Sequence, residues 1–471
     1  MITLENQFTF NNFMDNFDEL TNKATPKLFR LFNSYIEIEK LIPTSFKQEY
    51  YSAIGSPRKY SLSSMIKFFI LKNILSISES KKLLHILHLS KEIRSFCGFS
   101  KLPNESQISR FNTNYVNQLN EMFHNLVDIT EPMCHEINKH FASVLISDTT
   151  GFEASVKENN PKYHQTLVNN AKKLGKLKND KNFNPEKHAN SQMPKKSSAN
   201  SDIKLTYLNG HFGFYLKSNI VTNGLGVVRH IDFYDEDMDF STSPTDAKDK
   251  YDATTLIPVL ENYYARHFSF KYIYFLGDAG FDASDNYAYL VKYRNLIPII
   301  PLNIRHQSNL PKPGFNGLGI PTCPNDPTLD MKFDGVTREK GRSDRIKYLC
   351  PKSKKCKVNG RTAYNLTCDN PCTTSKCGRI VQVSVNSDYR LNTAIPRNTQ
   401  QWQDLYKIRT VCERAIAQLK SCINIKSTQL RNTNSIKSSV IFAGITQLIA
   451  LMIFYKSGNF SNVRAIKTLV A

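Results

Sequence analysis

Apolar residues recur at three- and four-residue intervals through SLSSMIKFFILKNILSISESKKLLHILHLSKEI, residues 61–93. That spacing lines them along one side of a 3.6-residue turn and predicts helices. Ser61 stands where an N-cap is needed. FCGFSKLPNESQISRFNTNYVNQLNEMF, residues 96–123, reads as a turn and then a helix begun near Asn104 to Ser106. Residues 1–135 are therefore expected to be a helical domain. The pattern then changes to short apolar runs. Ala142 to Ile146 is an apolar run that predicts a buried strand, with Asp148 at its end. Residues 203–235 form an expected strand meander with turns at Asn209-Gly210 and Asn223-Gly224. A helix is expected over 254–267. YIYFLGDAGFD, residues 272–282, gives a second buried strand that ends in Asp278. A helix over 284–294 and the strand LIPIIPL continue an alternating β/α pattern, which places the chain in the α/β class.

Two segments interrupt this pattern. Residues 155–200 are Lys- and Asn-rich and nearly free of large apolar groups, so a flexible basic insertion is expected there. Residues 303–396 are rich in Pro, Gly, Lys and Cys and show little helical period. They are expected to be an inserted module between 136–302 and a final helical part, 397–471. The longest apolar run, Ile441 to Tyr455, is shorter than the ~18 to 20 residues of a membrane span, and Gln447 interrupts it. A buried core helix is expected.

Composition narrows the function. Lys and Arg number 62 against 41 Asp and Glu, a formal net charge of +21. Such a balance points to a polyanionic partner, because Lys and Arg displace condensed counterions from phosphates. Hydrophobic content of 40% excludes a wholly disordered chain. The first twenty residues carry acids and no apolar run, so no secretory leader is expected. The ten cysteines are then expected in a reducing cytosol, as buried thiols or metal ligands.

Three acids stand out. Asp148 and Asp278 each follow a buried β run, where an α/β sheet delivers side chains to an open edge. Two carboxylates brought together repel unless a cation lies between them, and hard divalent ions with oxygen ligands answer that need. The bland alternative is that each Asp caps the next turn, the role expected for Asp282. The third acid lies in DLYKIRTVCERAIAQLKSCI. At about 100° per residue, Arg409, Glu413 and Lys420 fall within roughly 60° of Tyr406, opposite an apolar face bearing Cys412 and Leu419. The row is either a surface ion-pair ladder or a phosphate-facing line. The basic chain and the two strand-end acids favour the second.

Tyr406-x2-Arg409-x3-Glu413-x6-Lys420 resembles the YREK signature of insertion-sequence transposases with a DDE catalytic core. SDTTGF around Asp148 and GDAGFD around Asp278 resemble the first two acid motifs of that family. The segment from about Tyr60 to Phe111 is similar to its helical N-terminal domain. The resemblance implies an RNase H-like catalytic core with a helical N-terminal DNA-binding domain and a Cys-rich insertion before the last acid. It implies Asp148, Asp278 and Glu413 as catalytic residues and ligands of two Mg2+ or Mn2+ ions per active site. Tyr406, Arg409 and Lys420 would contact DNA. The implied partner is double-stranded DNA, both element ends and target, bound by a homo-oligomer at the nucleoid of a prokaryotic cytoplasm, with no membrane. The implied reaction is phosphodiester hydrolysis and strand transfer in transposition of a mobile element. The alternative of another class is a non-catalytic, sequence-specific DNA-binding protein derived from such an enzyme. Three intact acids favour the enzyme.

Six cysteines crowd the insertion: Cys323, Cys350, Cys356, Cys368, Cys372 and Cys377. Closely spaced thiolates suit a tetrahedral Zn2+ site, with the last five as candidate ligands. The spacing is not a repeated CxxC pair, and free thiols in a loop-rich module are the alternative.

Overall fold

The computed structural model of the chain describes residues 26–52, 57–178, 183–208, 211–234, 252–303, 312–358, 360–423 and 430–470. The expected turn at Asn209-Gly210 lies outside the described residues. The N-terminal part is helical: α1 (Lys27–Tyr35), α2 (Ile38–Leu41), α3 (Thr44–Tyr50), α4 (Leu62–Ile74), α5 (Ser80–Leu89), α6 (Lys91–Cys97), α7 (Glu105–Asn114) and α8 (Val116–Ala142). Two starts follow from capping chemistry. The Ser61 hydroxyl accepts from Ser64 N–H at 3.1 Å. Asn104 and Gln107 exchange side-chain and backbone bonds in a capping box, which satisfies two otherwise orphaned donors.

The next stretch holds β1 (Val144–Glu153), α9 (Pro161–Lys178), α10 (Pro185–Ser191), β2 (Lys204–Leu208), β3 (His211–Asn223), β4 (Val228–Phe233), α11 (Asp252–Arg266), β5 (Tyr274–Leu276), α12 (Ser284–Lys292) and β6 (Ile297–Ile299). These strands form one mixed sheet. Antiparallel β3 lies on one side of β1, and both β2 and β4 pair with the far edge of β3. On its other side β1 pairs parallel with β5, and β5 parallel with β6.

Residues 155–200, expected to be flexible, carry α9 and α10 instead. The cause is a buried acid: Glu158 accepts from Ser197 Oγ at 3.0 Å and from Ser198 N–H at 2.9 Å, which closes the excursion back onto itself. Asn159 ties it to the sheet by donating to Phe214 O at 2.8 Å.

The segment after β6 is all β: β7 (Thr322–Cys323), β8 (Asp326–Asp330), β9 (Lys332–Thr337), β10 (Arg345–Leu349), β11 (Ser353–Val358), β12 (Arg361–Leu366) and β13 (Ile380–Ser384). It has its own small core of Ile320, Met331, Ile346, Tyr348 and Val385. The chain closes with α13 (Gln400–Lys407), α14 (Thr410–Ile423) and α15 (Thr433–Lys456).

Helix α15 contains the apolar run expected in the core. It is long and apolar enough to cross a membrane, yet 94% of its most apolar window is buried in the fold. Phe442 stacks on Phe69 of α4 at 4.5 Å, and a Cβ on Gly444 would lie 2.9 Å from Phe123 of α8. Only glycine allows helices that close to pack without displacing an aromatic ring. Gln447 is buried because it is fully used. It accepts from Val228 N–H at 2.8 Å and donates to Gly226 O at 3.1 Å, so it satisfies the backbone of the β3–β4 turn.

Candidate active site

The site begins with strand register. The last parallel pair of β1 and β5 is Ile146↔Leu276. Asp148 and Asp278 each come two residues later, so the sheet sets them side by side where the two strands part. Asp148 is not the end of its strand, as the sequence suggested. β1 runs on to Glu153 because the long β3 keeps pairing with it as far as Glu153↔Tyr215. Asp278 does turn the chain: its carboxylate accepts from Gly280 N–H at 2.9 Å and starts a 3-10 turn over Ala279–Phe281.

Burial pushes the Asp148 carboxyl up to about 7, the Asp278 charge adds to that, Arg409 opposes it, and Glu413 raises it again. Thr149 N–H donates to Asp148 Oδ1 at 2.9 Å. Beyond the effect of burial the acids feel one another, and Arg409 is a cation beside them. Its Nη1 lies 3.5 Å from Asp148 Oδ2, and its Nη2 donates to Glu413 Oε1 at 2.5 Å. One guanidinium thus links the strand acid to the helix acid.

Tyr406, Arg409, Glu413 and Lys420 do not share one straight helix. α13 ends at Lys407 and α14 starts at Thr410. At the junction Arg409 N–H bonds Tyr406 O, Val411 N–H bonds Ile408 O and Cys412 N–H bonds Arg409 O, each at 3.0 Å. These three-residue steps tighten the junction, and Tyr406 stays beside Arg409, where the charges of Asp278 and Glu413 still reach it. Tyr406 stacks on Trp402 at 4.9 Å, and the Arg409 guanidinium lies 5.8 Å over its ring. Lys420 reaches back toward β1, with Nζ 5.9 Å from the Phe152 ring centre. Burial lowers its pKa, against the pull of Asp148 and Glu153. Glu153 carries no sequence signal of its own and gains this role from its place on β1.

Asp282 does not cap α12, as the sequence suggested: Ala283 holds that position without a side-chain bond. Its buried carboxylate accepts from Arg390 Nε at 2.8 Å and Nη2 at 2.7 Å, from Asn303 N–H at 2.7 Å and from Tyr287 OH at 3.1 Å. Arg397 extends the network to Ile300 O at 3.0 Å and to Tyr287 OH at 2.9 Å. The turn carrying Asp278 is therefore clamped to the chain that returns from the β-rich insertion. Nothing in local sequence pairs residues 282 and 390.

The donor chemistry of Asp148, Asp278 and Glu413 suits a hard divalent cation. Among the described residues, no group of three or more His, Cys, Asp or Glu side chains is close enough to hold a metal. Glu413 is instead turned to Arg409. The same statement covers the cysteines, none of which is in a disulfide. Cys323 and Cys350 are buried, whereas Cys356, Cys368, Cys372 and Cys377 are partly exposed. The structure brings the Cys350 and Cys377 segments together. Cys350 N–H donates to Arg379 O at 2.9 Å, and Ser353 Oγ donates to Cys377 O at 2.9 Å.

Residues 15–114 match the family model of a transposase domain (DUF772). This match supports a transposase family for the chain. It covers α1 to α7 and stops before α8 and Asp148. No curated protein matches the chain.

Proposed function

We propose that the chain is an insertion-sequence transposase that cuts and rejoins DNA phosphodiesters with Asp148, Asp278 and Glu413. The observation that carries this reading is the convergence of two strand acids in parallel register with a helix acid tied to them through Arg409. The strand order β2-β3-β1-β5-β6, with β4 also on β3, antiparallel and then parallel, is compatible with the RNase H-like core that the resemblance implies. The transposase domain at 15–114 and the net charge of +21 support DNA as the substrate.

The carboxylates would hold Mg2+ or Mn2+. At such sites these ions neutralise the attacking and leaving oxygens of an in-line displacement. The chain's own contribution is placement. The sheet edge fixes Asp148 and Asp278, the Asp282 clamp holds the second acid's turn, and α14 brings Glu413 alongside. Arg409 balances the acids before substrate arrives, and its guanidinium can turn to a phosphate when cations replace it at the carboxylates. Lys420, backed by Phe152, places a second positive charge along the same edge.

Purified chain, duplex carrying the element's terminus and Mg2+ should give nicks at that terminus, and EDTA should abolish them. Asp148→Ala, Asp278→Ala and Glu413→Ala should each stop cleavage and leave end binding. Cutting by Asp278→Ala at the wild-type rate would overturn the assignment. The ion pairs from Arg409 to both acids favour a second reading, a DNA-binding protein without cleavage. That reading stands if the wild-type chain binds ends and never nicks them with either ion.

A further inference from the structure

Arg414 follows Glu413 on α14, about 100° around the helix from the acid-bearing face. Two clefts meet at its side chain. One, of 510 Å³, lies between the end of α4, the flank of α14 and the C-terminal turn containing Arg464 and Lys467. The other, of 640 Å³, lies between the end of α8, the Gly224-Leu225 turn, the α13–α14 junction and residues 460–464. Arg414 and Arg464 line both clefts. Lys467 joins them in the first and Lys407 in the second, and neither lining contains an Asp or Glu.

Lys407 already has a partner, Asp404 at 2.8 Å. Among the described residues, no ion pair or hydrogen bond engages the guanidinium of Arg414 or of Arg464. The two feel each other: partial burial and then the charge of Arg414 pull the Arg464 guanidinium below its usual value. Both side chains remain open to solvent.

Arg464 is held in place beside α14. Gln418 of α14 donates to the backbone O of Arg464, and Gln447 donates to Gln418 Oε1 at 3.1 Å. Gln447 is itself locked to the β3–β4 turn. The stem of Arg464 runs across Gly226, where a Cβ would lie 2.9 Å from Arg464 Cδ. A pair of like charges with no counterion among the described residues attracts an anion, and two guanidinium forks match the oxygens of a phosphate.

We infer that Arg414 and Arg464 form a phosphodiester-binding site that grips the DNA backbone beside the reacting phosphate. The site sits on the neighbouring flank of the helix that carries Glu413, so a duplex lying along the acid edge passes it. Its contribution is affinity and register, because phosphate contacts carry no base information. The inference rests on the DNA-acting reading above.

The test uses full-length protein with EDTA, so that cleavage cannot intervene, and measures binding of a terminus-bearing duplex by anisotropy across a salt series. Arg414→Gln/Arg464→Gln should weaken binding at low salt and reduce the salt slope by about one to two, one for each phosphate no longer neutralised. Arg414→Lys/Arg464→Lys keeps the charges without the forks and should restore most of the slope. In the absence of DNA, inorganic phosphate should raise the melting temperature of the wild type more than that of the double Gln variant. Wild-type protein that binds duplex while the double Gln variant keeps the same affinity and slope would overturn the site. Wild-type protein that binds no duplex would defeat the DNA-acting reading, and the phosphate melting shift then decides the site: selective protection of the wild type retains it, and equal protection removes it.

Discussion

Asp282→Asn offers a sharp test of how the second acid is held. The substitution preserves shape and removes charge. It strikes a carboxylate whose side chain is 0% exposed and which takes four donated bonds, two of them from Arg390. An amide presents one oxygen and a pair of donors, so at least one N–H of Arg390 or Asn303 must face another donor. Removing one partner of a buried pair costs about 3–5 kcal/mol when nothing replaces it, and the isosteric amide should cost nearer the lower figure. A loss of about 3 kcal/mol lowers the melting transition by roughly 6–12 °C for a domain of 150–250 residues. The turn bearing Asp278 begins four residues earlier, so loosening it should also disturb placement of the acid. Misplacement of about 1 Å at a reacting centre costs on the order of 100-fold in rate. The assay pairs thermal unfolding with single-turnover nicking and end-DNA affinity. The expected result is a lower melting temperature and a large drop in nicking rate with affinity unchanged. Asp282→Asn with wild-type melting and wild-type nicking would refute the clamp.

Acid should weaken the fold through a histidine cluster. His124 Nδ1 lies 2.9 Å from His267 Nε2, His267 Nδ1 lies 2.7 Å from Asp128, and His230 Nε2 lies 3.0 Å from Asp232. Burial, then the charges of His230, Arg266 and His267, pull the His124 pKa far below its usual value. The folded chain therefore binds fewer protons than the unfolded one, and stability falls as pH drops below the unfolded value of about 6.5. Melting temperature should decline from pH 7 to pH 5 less steeply in His124→Gln than in wild type, and equal slopes would contradict this. Lys420→Ala should weaken end binding and reduce its salt slope by about one, whereas Glu413→Gln should leave the slope and stop cleavage. Wild-type affinity and slope in Lys420→Ala would reassign Lys420 to its contact with Phe152 and the β1 acids.

Much of the site was legible because it rests on local patterns. The apolar runs before Asp148 and Asp278 are real strands, and their shared position past those runs becomes adjacency once β1 and β5 pair in parallel. The apolar run around Gln447 is the central helix, and its polar residue is explained by the turn it satisfies. The row from Tyr406 to Lys420 has no helix breaker, yet local three-residue hydrogen bonds and the Trp402–Tyr406 stack divide it between two helices. Other features depended on distant partners. The polar stretch 155–200 folds because a single buried Glu158 gathers its end. The Asp282–Arg390 pair spans 108 residues and left no periodic trace.

In the proposed reaction, cations held by Asp148, Asp278 and Glu413 touch the phosphate being cut. A single sulfur placed for a non-bridging oxygen at the scissile phosphate examines that contact, because Mg2+ binds sulfur poorly and Mn2+ accepts it better. Wild-type protein should bind this substrate normally, fail to nick it in Mg2+ and cut it again in Mn2+. Equal nicking of oxygen and sulfur substrates in Mg2+, with no change on moving to Mn2+, would contradict that contact.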